Sequence, residues 1–245
     1  MSGPGRTGGA EPVSGPGRAD GHGPLLAQLQ LTDSAFPSGL YTLSHGLEAS
    51  AASGPEEIAA VVADLLRHSA GPGDATALAQ AHRAVRRDDW AAVAAVDRRL
   101  HAVKLNRELR RASVRTGRQV LETAAVVFGG PELETLAALV RQGAALGNHA
   151  VVVGVVYAGQ EVPADDAVVG DLFAFALSCT TAAVRLGRID FRQAQAVLRG
   201  LAPVIEEAAR AALARESPGD IGGTVPLADV LSAVHERAPA RLFTT

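Results

Sequence analysis

The sequence contains few cysteine and aromatic residues. It has one cysteine, Cys179, in 245 residues, which excludes an internal disulfide framework and a metal cluster held only by thiolates of one chain. Aromatic residues make up 4% of the chain, whereas hydrophobic residues make up 47%. The core must therefore consist mainly of Leu, Val and Ala. Because Ala and Leu are strong helix formers, this composition favours closely packed helices.

Motifs of several enzyme and membrane classes are also missing. The chain has no Gly-x-x-x-x-Gly-Lys phosphate loop, its seven histidines form no His-Glu-x-x-His motif, and Ser44 lacks the flanking glycine of a hydrolase elbow. The apolar run at 150–158 is too short to span a bilayer, and no secretory signal is visible. These absences leave a membrane partner and a metal site unsupported. The net charge of -3 gives no reason to expect a nucleic-acid partner.

The spacing of apolar residues predicts one all-α domain of roughly ten helices. Residues 1–23 are rich in Gly and Pro, so they are predicted to form a disordered tail. The helical domain is predicted to cover residues 24–236, and a short C-terminal tail covers residues 237–245. Within the domain, Gly71-Pro72-Gly73 is expected to end one helix before Asp74 caps the next.

Residues 25–50 are predicted to form two amphipathic helices joined by a turn. The apolar residues of each helix share a face at helical spacing: Leu25, Leu26 and Leu29 in the first, and Leu40, Leu43 and Leu47 in the second. The turn consists of Pro37, Ser38 and Gly39, where Ser38 is a candidate N-cap for the second helix. The second helix also carries a polar set that is either a site or a solvated face: Tyr41, Ser44, His45 and Glu48.

Two further segments are strongly apolar. Residues 150–157 are rich in valine, which favours a strand, but no second strand is evident to pair with them, so a buried helix is expected. Residues 167–186 are predicted to form the most buried helix, with Cys179 as inert core filling. Arg185 ends this helix, where a cation is electrostatically favoured; it could instead reach an anionic ligand.

An arginine face lies on the predicted helix of residues 104–128. Its members recur at helical spacing: Arg107, Arg111, Arg115 and Arg118. A solvated face or a protein-docking surface fits this pattern better than a nucleic-acid surface, because aromatic residues do not alternate with the arginines. The alternative function for the chain is a helical protein that binds anions or nucleic acid through this face.

Four segments occur in an order that points to one family. The first lies within residues 25–50, the second is LNRELRRASVRTGRQVL at 105–121, and the third is TTAAVRL at 180–186. The fourth is the C-terminus, His235-Glu236 followed by Arg241-Leu242-Phe243. Together they resemble the urease accessory protein F family over about residues 24–245. The chain departs from the common family pattern after Leu186.

This resemblance implies an all-α, dimeric, cytoplasmic protein without enzymatic activity or a cofactor. Such a protein serves as a scaffold in urease maturation: it binds accessory protein D (also called H), and the two recruit the GTPase accessory protein G. The assembly delivers nickel to apo-urease in a step coupled to GTP hydrolysis. The F-type protein is expected to modulate the GTPase.

The resemblance also implies two sets of partner-binding residues. The face for accessory protein D/H comprises Leu25, Leu26, Leu29, Arg241, Leu242 and Phe243. The face for the GTPase comprises Tyr41, Glu48 and Arg185. A cation such as Arg185 can stabilise charge on a transferring phosphoryl group in trans, or it can position a partner loop. The competing hypothesis is a helical enzyme with its pocket around Tyr41, Ser44, His45 and Glu48, which the lack of a recognisable nucleophile argues against.

Overall fold

The computed structural model describes residues 21–226, together with Val230 and Phe243. This part of the chain contains ten α-helices and no strand, which confirms the all-α prediction. The helices are α1 Gly23–Thr32, α2 Pro55–Leu65, α3 Thr76–Arg86, α4 Trp90–Val103, α5 Arg107–Val127, α6 Pro131–Arg141, α7 His149–Gly159, α8 Ala164–Arg185, α9 Phe191–Gly200 and α10 Ala202–Leu213. Of the predicted disordered tail, residues 1–23, the first twenty lie outside the described residues.

Short-range capping explains where several helices begin. The side chains of Asp89, Asn106 and Asp190 each accept a hydrogen bond from the backbone N–H three residues further on. At Asp190 the bond is reciprocal, because the Gln193 side chain accepts from the Asp190 backbone at 2.8 Å. Proline occupies the first turn of α1, α2, α6 and α10, where its missing N–H costs nothing.

The predicted stop at Gly71-Pro72-Gly73 is wrong. A π-helical segment, Leu66–Ala75, continues α2 directly into α3. The wider turn accommodates Pro72 inside the helix, and Thr76 Oγ1 donates to the Gly71 carbonyl at 3.0 Å. A Cβ at Gly71 would lie 2.5 Å from the Leu66 carbonyl oxygen, so glycine is what allows the two turns to approach. Burial of this segment overrides the local tendency of Gly and Pro to end a helix.

The centre of the fold is α7. Every residue from 150 to 158 is buried, and α7 packs mainly on α3 and α5. The prediction of a buried helix is therefore confirmed. The prediction that the helix at 167–186 is the most buried one is wrong, because α8 leaves Phe173 40% exposed. By length and composition α8 is the one described helix that could cross a membrane, but half of that apolar stretch is packed inside the fold.

The second helix predicted within residues 25–50 does not form. A 3-10 turn, Leu40–Thr42, is followed by turns, because His45 and Gly46 adopt backbone φ angles of 53° and 86°. Two consecutive left-handed residues cannot continue a right-handed helix. The apolar pattern still directs packing, since Leu43 and Leu47 are 5% and 0% exposed.

Candidate functional site

Phe243, near the C-terminus, lies in a seat formed by two distant parts of the chain. Its backbone N–H donates to Glu48 Oε2 at 3.1 Å. The guanidinium carbon of Arg185 lies 4.1 Å from the centre of its ring, which is the geometry of a cation–π contact. Phe243 is only 3% exposed. We call Glu48, Arg185 and Phe243 the tail seat.

Arg188 holds the segment that carries Glu48 against the end of α8. Its guanidinium donates to the backbone carbonyls of Glu48 and Ala52 at 3.2 and 3.1 Å. The Arg188 carbonyl accepts from the N–H of Gly54 at 3.2 Å. Arg188 follows Leu186, where the sequence is expected to depart from the pattern of the family it resembles. Its contacts position one side of the tail seat.

The predicted turn of Pro37, Ser38 and Gly39 is present in a modified form. Ser38 Oγ accepts from the Leu40 N–H at 3.4 Å, but the N-cap of the 3-10 turn is Gly39, so the predicted N-cap role of Ser38 is wrong. Gly39 has a φ of 77°, which favours glycine. A Cβ at Gly39 would also lie 2.7 Å from Gln119 Oε1, so the turn packs closely on α5.

The predicted residues of the D/H face do not all lie together. Leu25, Leu26 and Leu29 are 51%, 61% and 57% exposed on α1, whose Gln28 side chain donates to the Asp166 carbonyl at 2.6 Å in the first turn of α8. Arg185 ends α8 nineteen residues after Asp166, so at 1.5 Å per residue it lies roughly 28 Å along the helix from the contact with Gln28. Phe243 contacts Glu48 and Arg185, which were assigned to the GTPase face. Arg241, Leu242 and the side chain of Tyr41 lie outside the described residues.

A cavity of about 120 Å³, with a mainly apolar lining and several polar side chains, lies beside the turn that carries His45. Two charged or polar pairs line it: Lys104 Nζ contacts Asp74 at 2.8 Å, and His149 Nε2 lies 4.0 Å from Asp171 Oδ1. The ring of His45 packs 4.5 Å from the ring of Phe175, between centres. The imidazole of His45 therefore faces this cavity.

Burial keeps the imidazoles of this cavity uncharged. Desolvation lowers the pKa of His45 and of His149 to about 4. Desolvation, with the charge of Asp74, raises the pKa of Asp171 to about 7. The structure thus places His45, which belongs to the polar set predicted on the second helix, beside His149 at an interior cavity.

The polar residues of the opening stretch do not converge on a catalytic pocket. Ser44 is fully buried, His45 faces the interior cavity, and Glu48 contacts the tail. Cys179 is buried in the core, where desolvation raises the pKa of its thiol. Among the described residues, no group of three His, Cys, Asp or Glu side chains could hold a metal ion.

Comparison with known proteins gives the family. The UreF family model matches residues 52–202, more than half of the chain. The chain belongs to the UreF family. The match begins just after the segment that carries Glu48 and ends in α10, so it includes Arg185 and Arg188 of this UreF member.

Named relatives extend the similarity beyond the family model. The chain is 31% identical over 226 residues to urease accessory protein UreF 2 of Brucella canis, covering 89% of this chain and 91% of that protein. It is 32% identical over 225 residues to urease accessory protein UreF of Trichodesmium erythraeum, covering 89% and 95%. It is 30% identical over 226 residues to the UreF protein of Yersinia pseudotuberculosis, covering 90% and 97%. The resemblance found in the sequence motifs is confirmed along most of the length of this UreF-family chain.

Sequence reasoning missed two groups of residues in this UreF member. Arg188 lay in a stretch noted only for its departure from the family pattern, although an arginine just after a helix end is a common ligand for backbone carbonyls. Asp171 and Lys104 were not singled out. The signal for Asp171 was an acidic residue within the long apolar helix α8, where a carboxyl group is costly unless it has a polar neighbour.

Proposed function

We propose that this chain is a non-enzymatic scaffold in urease maturation. In this role it binds accessory protein D/H, and the pair recruits the GTPase accessory protein G to deliver nickel to apo-urease. Membership of the UreF family supports the general role. The single structural observation that supports the specific role is the tail seat, because it joins residues assigned to both partner faces in one cluster.

In this proposal the tail seat presents the C-terminus to the partners. The Arg185 guanidinium packs on the Phe243 ring at 4.1 Å, and the Glu48 carboxylate accepts a hydrogen bond from the Phe243 backbone N–H. Arg185 therefore acts as a positioning residue while the tail is seated, and it modulates the GTPase by holding the tail in place. This role differs from both roles expected from the sequence, which were charge stabilisation on a transferring phosphoryl group and positioning of a partner loop.

Helix α1 offers an apolar surface for accessory protein D/H. Its three exposed leucines, Leu25, Leu26 and Leu29, lie within two turns of one another on a helix whose buried residue is Ala27. Clustered leucines that are more than half exposed are typical of a surface that a partner covers. The family resemblance further supports a cytoplasmic homodimer that reaches urease only through the assembled complex.

Co-purification tests this proposal. The tagged chain is expressed with accessory proteins D/H and G, and the proteins retained with it are quantified. We expect the wild type to retain both partners, and Phe243→Ala and Leu25→Asp/Leu29→Asp each to lose most of D/H and, with it, the GTPase that the pair recruits. The matched control is Phe191→Ala, which removes a ring that is 74% exposed on α9. Equal retention of both partners by all variants would refute the assigned faces.

A further inference from the structure

A basic groove runs along α5 on a side of the molecule that the tail seat does not use. It lies between α5, α4 and the loop that precedes α7, and its volume is about 810 Å³. Its basic lining consists of His101, Arg110, Arg111, Arg115 and Arg118. Among the described residues that line it, Glu122 is the one acidic side chain. The groove thus concentrates positive charge in a chain whose net charge is -3.

Backbone contacts hold two of these arginines in place at either end of the groove. Arg110 Nη1 donates to the carbonyls of Lys104 and Leu105 at 2.6 and 3.1 Å. Arg118 Nε donates to the Leu146 carbonyl at 3.2 Å. A guanidinium has five N–H donors, so each arginine is oriented by one nitrogen and keeps others for a ligand.

The opposite wall of the groove is also fixed. The buried carboxylate of Asp97 accepts hydrogen bonds from the backbone N–H groups of Gly147 and Asn148, each at 2.9 Å. The Asn148 side chain donates to the same carboxylate at 2.7 Å. Leu146, which lines the groove, is thereby held in position, so a ligand would meet a preformed surface and lose little energy in ordering it.

We propose that this groove binds an acidic segment of another protein. Arg111 and Arg118 are seven residues apart on α5, roughly 10 Å along the helix, which spans several carboxylates of an extended or helical peptide. Guanidinium groups bind carboxylates through paired hydrogen bonds. A single nucleic-acid strand fits less well, because none of the described residues lining the groove is Phe, Tyr or Trp, the side chains on which successive bases most often stack.

A labelled decapeptide of glutamates is the probe. Its binding to the full chain is followed by fluorescence anisotropy at two salt concentrations, with Arg111→Glu/Arg115→Glu as the groove variant. The matched control is Arg192→Glu/Arg199→Glu, which makes the same charge change at exposed positions on α9. We expect salt-dependent binding to the wild type, an affinity loss of at least about tenfold in the groove variant, and little change in the control.

Other outcomes overturn the proposal. They are no binding to the wild type, an equal loss in the control, which would reflect overall charge, and displacement of the peptide by a ten-residue oligothymidylate at lower concentration than by unlabelled peptide. If the glutamate variant does not fold, Arg111→Gln/Arg115→Gln replaces it. For this variant we expect a smaller but measurable loss, and unchanged affinity would contradict the proposal.

Discussion

Glu48 and Phe243 are joined by a hydrogen bond of 3.1 Å although 195 residues separate them in sequence. The bond links the segment after the first helix to the end of the chain. Arg185 closes the same cluster from the end of α8. Three regions that the sequence assigned to two different partner faces therefore form one unit, and a change in any of them is expected to affect the others.

Removing the Glu48 carboxylate is expected to release the tail without unfolding the domain. A hydrogen bond to a charged group contributes about 1.5–3 kcal/mol, so Glu48→Ala should speed exchange of the Phe243 amide hydrogen by tenfold or more. Hydrogen exchange read by mass spectrometry or NMR measures this. Glu56→Ala, at an exposed position in α2, is the control and should leave that exchange unchanged. Unchanged protection in Glu48→Ala would mean that the seat does not hold the tail.

Gly117 is expected to tolerate no side chain. A Cβ at this position would collide with the Gly147 carbonyl and lie 2.7 Å from the His149 backbone nitrogen, both of which are main-chain atoms. Gly117→Ala should therefore lower the free energy of unfolding by about 2–3 kcal/mol, because α5 must move away from the start of α7. Gly200→Ala is the control, since a Cβ there meets nothing within 4 Å.

Denaturant unfolding distinguishes the two glycine variants. Gly200→Ala should be neutral or stabilise the fold by up to about 1 kcal/mol, because alanine is the better helix former. Equal free energies of unfolding for the two variants would contradict the close contact between α5 and the loop before α7.

Asp97 is expected to be one of the most sensitive positions in the protein. It is fully buried, and its carboxylate accepts from Gly147 and from the backbone and side chain of Asn148. Asp97→Asn replaces one acceptor oxygen by a donor and should cost about 3 kcal/mol in the free energy of unfolding. Denaturant unfolding measures the loss against Asp64→Asn, which is exposed on α2. A similar midpoint for both variants would show that the loop is held by other contacts.

Acid is expected to destabilise the fold through the buried histidines. The pKa of His45 is lowered from 6.5 to about 4, so between these values the unfolded chain binds a proton that the folded chain does not. His149 acts in the same direction. Asp171, whose pKa is raised from 3.8 to about 7, acts in the opposite direction and offsets one histidine. Stability should therefore fall as the pH decreases from 6.5 to 4.

His45→Asn isolates this contribution. Asparagine does not titrate, and it tolerates the left-handed backbone of His45, whose φ is 53°. Relative to the wild type, the variant should gain up to about 1.4 kcal/mol for each pH unit below 6.5 and level off near pH 4. Urea unfolding at several pH values measures the difference. A constant difference across this range would mean that the imidazole of His45 is not buried as an uncharged group.

Local patterns predicted those parts of the fold that depend on local physics. The valine-rich run at 150–157 forms a buried helix, and the described part of the chain offers no strand that could pair with it. Asp190 caps α9 through a bond to a residue three positions away. The capping and periodicity rules describe interactions within one or two turns. They were sufficient for most of the described helices and for the inward direction of Leu43 and Leu47.

The sequence did not predict features that depend on distant contacts. The π-helical segment around Pro72 forms because the core covers it, which overrides the local rule for Gly and Pro. His45 adopts a left-handed backbone in a turn where its ring packs against Phe175. Neither the turn nor this contact produces a periodic pattern in the sequence. The contacts of Phe243 with Glu48 and Arg185 join residues that only the folded chain brings together.

Restoration of urease activity tests the central proposal most directly. A host that expresses urease and the other accessory proteins, but lacks its own UreF, receives this chain or the variant Arg185→Ala/Phe243→Ala. Nickel-dependent urease activity is then measured, with Arg192→Ala on α9 as the control. We expect the wild type and the control to restore activity, and the double variant to lose most of it while remaining folded. Full activity with the double variant, or none with the wild type, would contradict the account.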